Sequence, residues 1–352
     1  MKLEDLGWNE SFSRQYGDLK NAGLMPGRVI YVSGPQYGIE TEAGRVDANI
    51  SGHFQYTSSG RADYPAAGDW VLLRGDSGAY MIDKVLERES VFSRKGSGKR
   101  CDEQVIAANI DIMFIVASLD GGRNFTLRGI ERYIVMVRDG GAEPVILLNK
   151  CDLCADRDNV MEQVHTVSGD IPVFMVSALT GEGMEHVTGF LAHAVTAAFT
   201  GPSGAGKSAL INSLIGTSVE KTGSIREDDK RGRHTTTHRE LFFLSWGAMV
   251  IDTPGLRELS PYGDVESLDL AFADIAEASS GCRFSDCSHT DEPGCEVIRL
   301  VNEGEIDSAR YRNYISIRGE MEFLNSRKDV NARLEKKAKE KTISKLIKDY
   351  YK

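Results

Sequence analysis

From Arg28 to Glu89 the chain runs in short stretches of alternating apolar and polar residues, "RVIYVSG", "YGIETEAG", "RVDANISG", "DWVLLRG" and "GAYMIDKVLE", parted by glycine-rich turns. A period of two is the mark of a half-buried strand, and strands this closely spaced predict a small β-barrel or sandwich. Five strands in about sixty residues fit an OB-type barrel, a fold that holds oligonucleotides or simply packs on a neighbour. Ahead of them, residues 1–26 read as a short helical arm ending at "MPG". After "SRKGSGKR", a linker rich in Gly, Ser and basic residues, the pattern changes. "IDIMFIVASL" is apolar almost throughout, as in a strand covered on both faces, and "LRGIERYIVMVRDGG" after it has helical spacing. "PVILLNK", "IPVFMVSAL" and "VTAAFT" repeat the strand pattern with helical stretches between them, which predicts a parallel α/β sheet. Beyond "MVIDTPG" the pattern is helical to the end, apart from a cysteine cluster. The predicted division is an arm (1–26), an OB-type β-barrel (27–92), a linker (93–104), a central α/β domain (105–262) and a C-terminal helical domain (263–352).

Composition changes this picture little. A length of 352 residues suits two or three domains, and 41% hydrophobic residues suffice for a sizeable core. The net charge of −10 argues against a protein that coats nucleic acid with its whole surface. A local exception is the last stretch, 327–352, with ten Lys or Arg against four Asp or Glu, which reads as a solvated helix or as a nucleic-acid contact. The opening "MKLEDLGWNE" has no basic n-region followed by an apolar h-region, so no signal peptide is expected. No apolar run has the length of a membrane span, and a soluble cytoplasmic protein is expected. Six cysteines are too sparse for a disulfide scaffold, and three of them crowd between Cys282 and Cys295.

The chemistry is concentrated in five short motifs. "GPSGAGKSA", that is Gly201, Pro202, Ser203, Gly204, Ala205, Gly206, Lys207, Ser208 and Ala209, joins an apolar run to a helical one and has the spacing of a phosphate loop. Its glycines let backbone N–H groups wrap phosphates, Lys207 supplies a charge for the β and γ groups, and Ser208 ligates magnesium. In "MVIDTPG", Asp252 is placed to hold magnesium through water and the Gly255 N–H to meet the γ phosphate. "GRHTTTH" between them reads as a switch, with Thr236 and Thr237 as nucleotide contacts and Thr237 as the second magnesium ligand. In "NKCD", Asp152 accepts from the guanine N1 and exocyclic amine, a pair that adenine does not offer. Asn149 meets the purine's other edge and Lys150 lies along the ring. Ser177 and Ala178 of "SAL" support the base from the backbone.

The order along the chain is base, base, phosphate, switch, magnesium. A chain that begins with its phosphate loop runs phosphate, switch, magnesium, base, base. A cyclic shift leaves every strand in place and moves only the ends, so the expected domain is circularly permuted, and the loop after "DTPG" leads into the C-terminal domain. That domain holds "CRFSDCSHTDEPGC", in which Cys282, Cys287, His289 and Cys295 form a closed three-thiolate, one-imidazole set suited to a structural zinc ion. Cys151 and Cys154 read as free thiols. A water-orienting Gln would follow the Gly of "DTPG"; Leu256 stands there, so slow intrinsic hydrolysis is expected, with His234 as the candidate catalytic group or else an ordinary loop histidine.

With "LGW", "GDWV" and "NKCDL", these motifs resemble the ribosome-small-subunit-dependent GTPases of bacteria, a circularly permuted family, over nearly the whole chain. The resemblance implies an OB-fold domain, a permuted P-loop GTPase domain and a C-terminal zinc domain that together bind the small ribosomal subunit and its rRNA during late maturation, the subunit stimulating hydrolysis. It also implies GTP or GDP, Mg2+ and one Zn2+ as ligands, an RNA-facing surface on the barrel and zinc domain, and no membrane partner. A monomer is expected. Two alternatives stand beside it: a GTP-gated RNA chaperone or placeholder in which hydrolysis serves only release, and a free-standing metabolic kinase, for which "NKCD" and the zinc set would have no use.

Overall fold

The computed structural model describes residues 1–17, 23–75, 79–95, 103–122, 124–222, 239–252, 261 and 265–327. The alternating stretches become β1 (Met25–Ser33), β2 (Gln36–Thr41), β3 (Gly44–Ile50), β4 (Trp70–Arg74) and β5 (Tyr80–Val85). They pair in the order β1-β2-β3-β5-β4, and β4 returns to β1, so the sheet closes into a five-stranded barrel. Closure removes the free edges such a short sheet would otherwise expose. Val29, Ile39, Val71 and Ile82 fill the interior. The arm contributes a helix, α1 (Glu10–Gly17), whose Phe12 packs with Leu6, Trp8, Trp70 and Leu72 outside the barrel. A second helix, α2 (Gly52–Thr57), follows β3 and is capped by Ser51, whose side chain accepts from Phe54 N.

β1 is longer than the barrel needs. Met25 to Arg28 pair with β4, and at its far end Tyr31 and Val32 lie opposite Glu240 and Arg239 of a strand in the α/β domain. The two sheets are thereby continuous. Arg28 secures the same junction from within. It is fully buried, donating to Leu6 O of the arm, to Gly68 O (3.2 Å) of the barrel and to Asn109 O (2.9 Å) of the α/β domain. Burial pushes its pKa down to about 10, which still leaves it charged at neutral pH.

Part of the expected linker is ordered. β6 (Val91–Lys95) and β7 (Glu103–Ala108) pair as an antiparallel ribbon, so residues 93–95 and 103–104 carry strand hydrogen bonds; 96–102 lie outside the described residues. The α/β domain follows with β8 (Ile112–Ser118), α3 (Leu127–Asp139), β9 (Glu143–Asn149), α4 (Arg157–Ser168), β10 (Val173–Val176), α5 (Met184–Phe190), β11 (Thr196–Thr200), α6 (Lys207–Thr222), β12 (Arg239–Phe243) and β13 (Met249–Asp252). Along β8, Met113, Ile115 and Ala117 join the core on one face, while Phe114 and Val116 join the core on the other. This double coverage is why the strand reads as an unbroken apolar run.

The C-terminal helices α7 (Val265–Ala271), α8 (Ala273–Ser279) and α9 (Glu296–Glu303), with helical residues 308–327, do not form a core apart. Phe272, Ile275, Val297 and Ile317 share one core with Ile130 and Ile134 of α3. Polar contacts reinforce the packing. Glu131, wholly buried in α3, accepts from Arg128, from Arg310 Nη1 (2.5 Å) and from Asn313 Nδ2 (2.7 Å), and Arg310 also grips Asp274 (2.7 Å). Removing Glu131 would leave Arg310 to Asp274 and Arg128 to Asp307, both at the surface, and would take away a buried acceptor of Asn313. Glu131→Ala is therefore expected to cost about 1–3 kcal/mol, read as an earlier midpoint in urea unfolding; an unchanged midpoint would contradict this account. Among the described residues, no helix is long and apolar enough to cross a membrane.

Candidate nucleotide and metal sites

Five parallel strands lie in the order β10-β9-β8-β11-β13, with β12 antiparallel between β13 and β1. Their carboxyl ends gather Asn149 at the end of β9, Ser177 after β10, the glycine loop after β11 and Asp252 at the end of β13. Counted from β11 and continued cyclically through β8, the order across the sheet becomes 2-3-1-4-5-6. The connection leaving β11 runs to one side of the sheet and that leaving its neighbour β8 to the other, which places the glycine loop at the topological switch point where open α/β sheets bind ligands.

The glycine loop owes its shape to positions that tolerate no side chain. Gly201 has φ +137°, and a Cβ there would stand 2.2 Å from Val116 O. At Gly206, φ +96°, a Cβ would stand 2.2 Å from Asn149 Nδ2. Pro202, Ser203, Gly204 and Ala205 complete the turn, and Lys207, Ser208 and Ala209 form the first turn of α6. Lys207 Nζ donates to Gly201 O and Pro202 O, both at 2.7 Å, so the ammonium lies folded over the loop. The N-terminus of α6 behind it favours an anion. A flexible cation, a cradle open at its glycines and a helix dipole fit a polyphosphate and its magnesium.

Asn149, expected from its motif to meet the purine's other edge, braces two loops in the structure. It is buried, its Nδ2 donates to Ala205 O (2.8 Å), and its Oδ1 accepts from Ala178 N (3.3 Å). One side chain thus ties the phosphate loop to the "SAL" loop across the middle of the sheet. Ser177 is buried and closes that loop, its Oγ accepting from Thr180 N (3.2 Å). Lys150 takes φ +63° and directs its Nζ to Gly204 O (2.9 Å) and to Asp120 Oδ2 (2.6 Å). Asp152 follows, exposed, in the single turn Cys151–Leu153.

Cys151 has a structural place. It is buried beneath this turn, and nearby the Glu182 carboxylate is held by Arg157 (2.5 Å). Burial pushes the thiol pKa up, so it stands protonated. Asp120, which no motif singles out, meets Lys150 here; its one sequence signal is its position just past an apolar strand. Asp252 ends β13 beside the phosphate strand. His234, Thr236, Thr237, Gly255 and Leu256 lie outside the described residues.

In the C-terminal region, Cys282, Cys287, His289 and Cys295 bring their ligand atoms within 4.8 Å of one another. Cys282 Sγ and Cys295 Sγ are 3.6 and 3.5 Å from His289 Nδ1 and 3.9 Å from each other. Zinc with Zn–S near ~2.3 Å and Zn–N near ~2.0 Å gives tetrahedral edges of about 3.8 Å between sulfurs and about 3.5 Å from sulfur to nitrogen. The residues fit that ion. Burial lowers the His289 pKa, favouring the neutral ring a metal requires, and Tyr311 Oη donates to His289 O (2.6 Å). Four protein ligands would leave a bound ion no open position, the arrangement of a structural rather than a catalytic site.

Only the position of the chain ends separates this sheet and its loops from a chain that begins at its phosphate loop, so the fold is that of a circularly permuted P-loop GTPase, preceded by an OB-type barrel. The sequence profile of the RsgA GTPase family matches residues 85–261. The chain is 38% identical to the small ribosomal subunit biogenesis GTPase RsgA of Methanosarcina acetivorans, over 98% of this chain and 92% of that one. With small ribosomal subunit biogenesis GTPase RsgA 2 of Lactiplantibacillus plantarum it shares 41% identity over 94% of each. Among solved structures, YjeQ from Thermotoga maritima superposes with a TM-score of 0.62 at 27% identity, over 85% of this chain and 98% of that one. The chain belongs to the RsgA GTPase family.

Proposed function

We propose that this protein binds the small ribosomal subunit during its late maturation and hydrolyses GTP to GDP and phosphate there, the subunit stimulating the reaction. The observation that carries the nucleotide half is Asn149, which makes one cradle of the base and phosphate loops. The subunit half rests on the names of near full-length relatives. Asp152 would read the guanine N1 and amine, the Lys150 stem would lie along the purine, and Ser177 and Ala178 would back it. The amides from Gly201 to Ala209, with Lys207 and the Gly255 N–H, would hold the phosphates. Ser208 and Thr237 would ligate magnesium, with Thr236 beside them and Asp252 acting through water. Magnesium, when bound, would neutralise charge developing on the β and γ phosphates. His234 is the proposed group that orients the attacking water in place of a Gln. The barrel and zinc unit would face rRNA, the units acting within the boundaries 27–92, 105–262 and 263–352, in a cytoplasmic monomer.

Co-sedimentation with purified small and large subunits, each with GDP and with a non-hydrolysable GTP analogue, tests the partner. Binding to the small subunit alone, tighter with the analogue, is expected; binding to neither would refute the reading. Turnover of the wild type and of His234→Ala, with and without small subunits, tests the reaction. Stimulation by subunits and its loss in the variant are expected, whereas tighter binding without stimulation would favour the placeholder role.

A further inference from the structure

Asp120 lies two residues beyond the end of β8, where nothing in the motif pattern calls for a carboxylate. Its Oδ1 accepts from Gly122 N (3.1 Å), which fixes the carboxylate against its own loop. Its Oδ2 accepts from Lys150 Nζ at 2.6 Å, and the same ammonium donates to Gly204 O at 2.9 Å. Three loops, after β8, β9 and β11, therefore meet on one ammonium. The Lys150 Cε is 4.0 Å from where a Gly206 Cβ would stand, so the methylene stem runs over the glycine loop. The backbone beneath is in the left-handed region, at φ +63°, a conformation that a non-glycine residue keeps only when its surroundings hold it there.

A lysine is a poor shelf by default. Its flexible stem has rotamer entropy to lose on being ordered, and its ammonium is drawn to any nearby phosphate. Bonds to a fixed carboxylate and a fixed carbonyl remove both difficulties before a ligand arrives. The stem is ordered in advance, so less ordering remains for binding to offset. The charge is also matched, which leaves Lys207 as the cation for the polyphosphate.

We propose that Asp120 is a positioning residue for guanine-nucleotide binding: by pinning the Lys150 ammonium to the phosphate loop it holds the lysine stem in place as the shelf for the purine face. The proposal rests on the base-site reading given above. It concerns affinity for GDP and GTP alike, because the base is common to both.

The test is GDP affinity of the intact chain, by titration with a fluorescent GDP derivative, for Asp120→Ala, Lys150→Ala and the double variant. Asp120→Ala is expected to weaken GDP about fivefold to tenfold, the scale of one charge-assisted contact at a partly exposed site. In the Lys150→Ala background the same substitution should change affinity by less than about twofold, because the group it acts through is gone. Asp120→Asn, which keeps an acceptor but loses the charge, should fall between wild type and Asp120→Ala. A GDP affinity unchanged by Asp120→Ala would overturn the proposal. So would losses that add in the double variant, since a general loosening of the loop does not require the lysine. Asp152→Asn, measured alongside, separates the two levels: if it too leaves GDP binding intact, the base-site reading fails; if it alone abolishes binding, only the role of Asp120 fails.

Discussion

Cys295→Ala is expected to abolish zinc binding and to unfold the segment from Cys282 to Cys295, with the helices packed on α3 loosened as a result. Between α8 and α9 the chain has no regular element, and its turns are built around the ligands themselves. His289 takes φ +62°, and Cys295 Sγ accepts from Ile298 N at the start of α9. The Glu292 carboxylate gathers Ser288 Oγ (2.5 Å), Ser288 N (2.9 Å), Thr290 N and Asp291 N (both 3.3 Å) into one turn, and the bonds from Ser288, its hydroxyl above all, hold its pKa down at about 2. Such a loop has little to keep it folded once the ligands separate. Metal binding at structural zinc sites is itself folding free energy, about 10–16 kcal/mol apparent in small zinc peptides at neutral pH. Cys287 and Cys295 are also members of the core shared with α3, so the loss is transmitted to that interface. A zinc assay on the purified variant and its thermal unfolding curve provide the test, with dialysis of the wild type against a chelator as the companion measurement. Full zinc occupancy in the variant, or a chelated protein with an unchanged melting temperature, would show that the four residues are not a metal site.

The features legible in the sequence are those in which a local pattern does the physical work. β8 and β9 are apolar at nearly every position because both faces are covered, β3 alternates because one of its faces is exposed, and β4 reads as a continuous apolar run because the arm covers its outer face. The glycine loop is legible because its backbone excludes side chains at Gly201 and Gly206, and the zinc site because four ligands fall within fourteen positions. The remaining features depend on partners far away in the chain. The pairing of Tyr31 and Val32 with β12 leaves no local mark, since an exposed strand end and a paired one have the same composition. Arg28 reads as an ordinary polar position of an alternating strand, yet it is buried because three carbonyls from the arm, the barrel and the α/β domain converge on it. Glu131 sits among charges in a helix that could equally have faced solvent, and its acceptors are filled by Arg310 and Asn313, far along the chain. "SRKGSGKR" is rich in flexible and charged residues, which suits the end of a solvated ribbon as well as a linker. Asp120 belongs to the same class, since only the fold places it beside Lys150.

Asp152→Asn should exchange guanine for xanthine. Guanine offers two donors on the edge that Asp152 is proposed to read, N1–H and the exocyclic amine, and a carboxylate answers both with acceptors. An asparagine of the same shape keeps one acceptor and puts an N–H against the second donor. Xanthine replaces the exocyclic amine with a carbonyl oxygen, so the pattern of one acceptor and one donor on asparagine fits it. The loss for GDP is about a hundredfold to ten-thousandfold, the cost of two hydrogen bonds to a charged group, one of them turned repulsive. The neighbouring side chains cannot take over the lost contacts. The Asn149 amide is engaged with Ala205 O and Ala178 N, and the Lys150 ammonium with Asp120 and Gly204. The turn should keep its shape, because Cys151 anchors it from below and position 152 is exposed. Competition binding with GDP, xanthosine diphosphate and ADP measures the exchange. A variant that holds GDP as tightly as the wild type and gains nothing for xanthosine diphosphate would place the base-reading group elsewhere. Loss of all three nucleotides together would mean that the turn had lost its shape. Only a reciprocal change, guanine falling as xanthine rises, assigns the base contact to the carboxylate of Asp152.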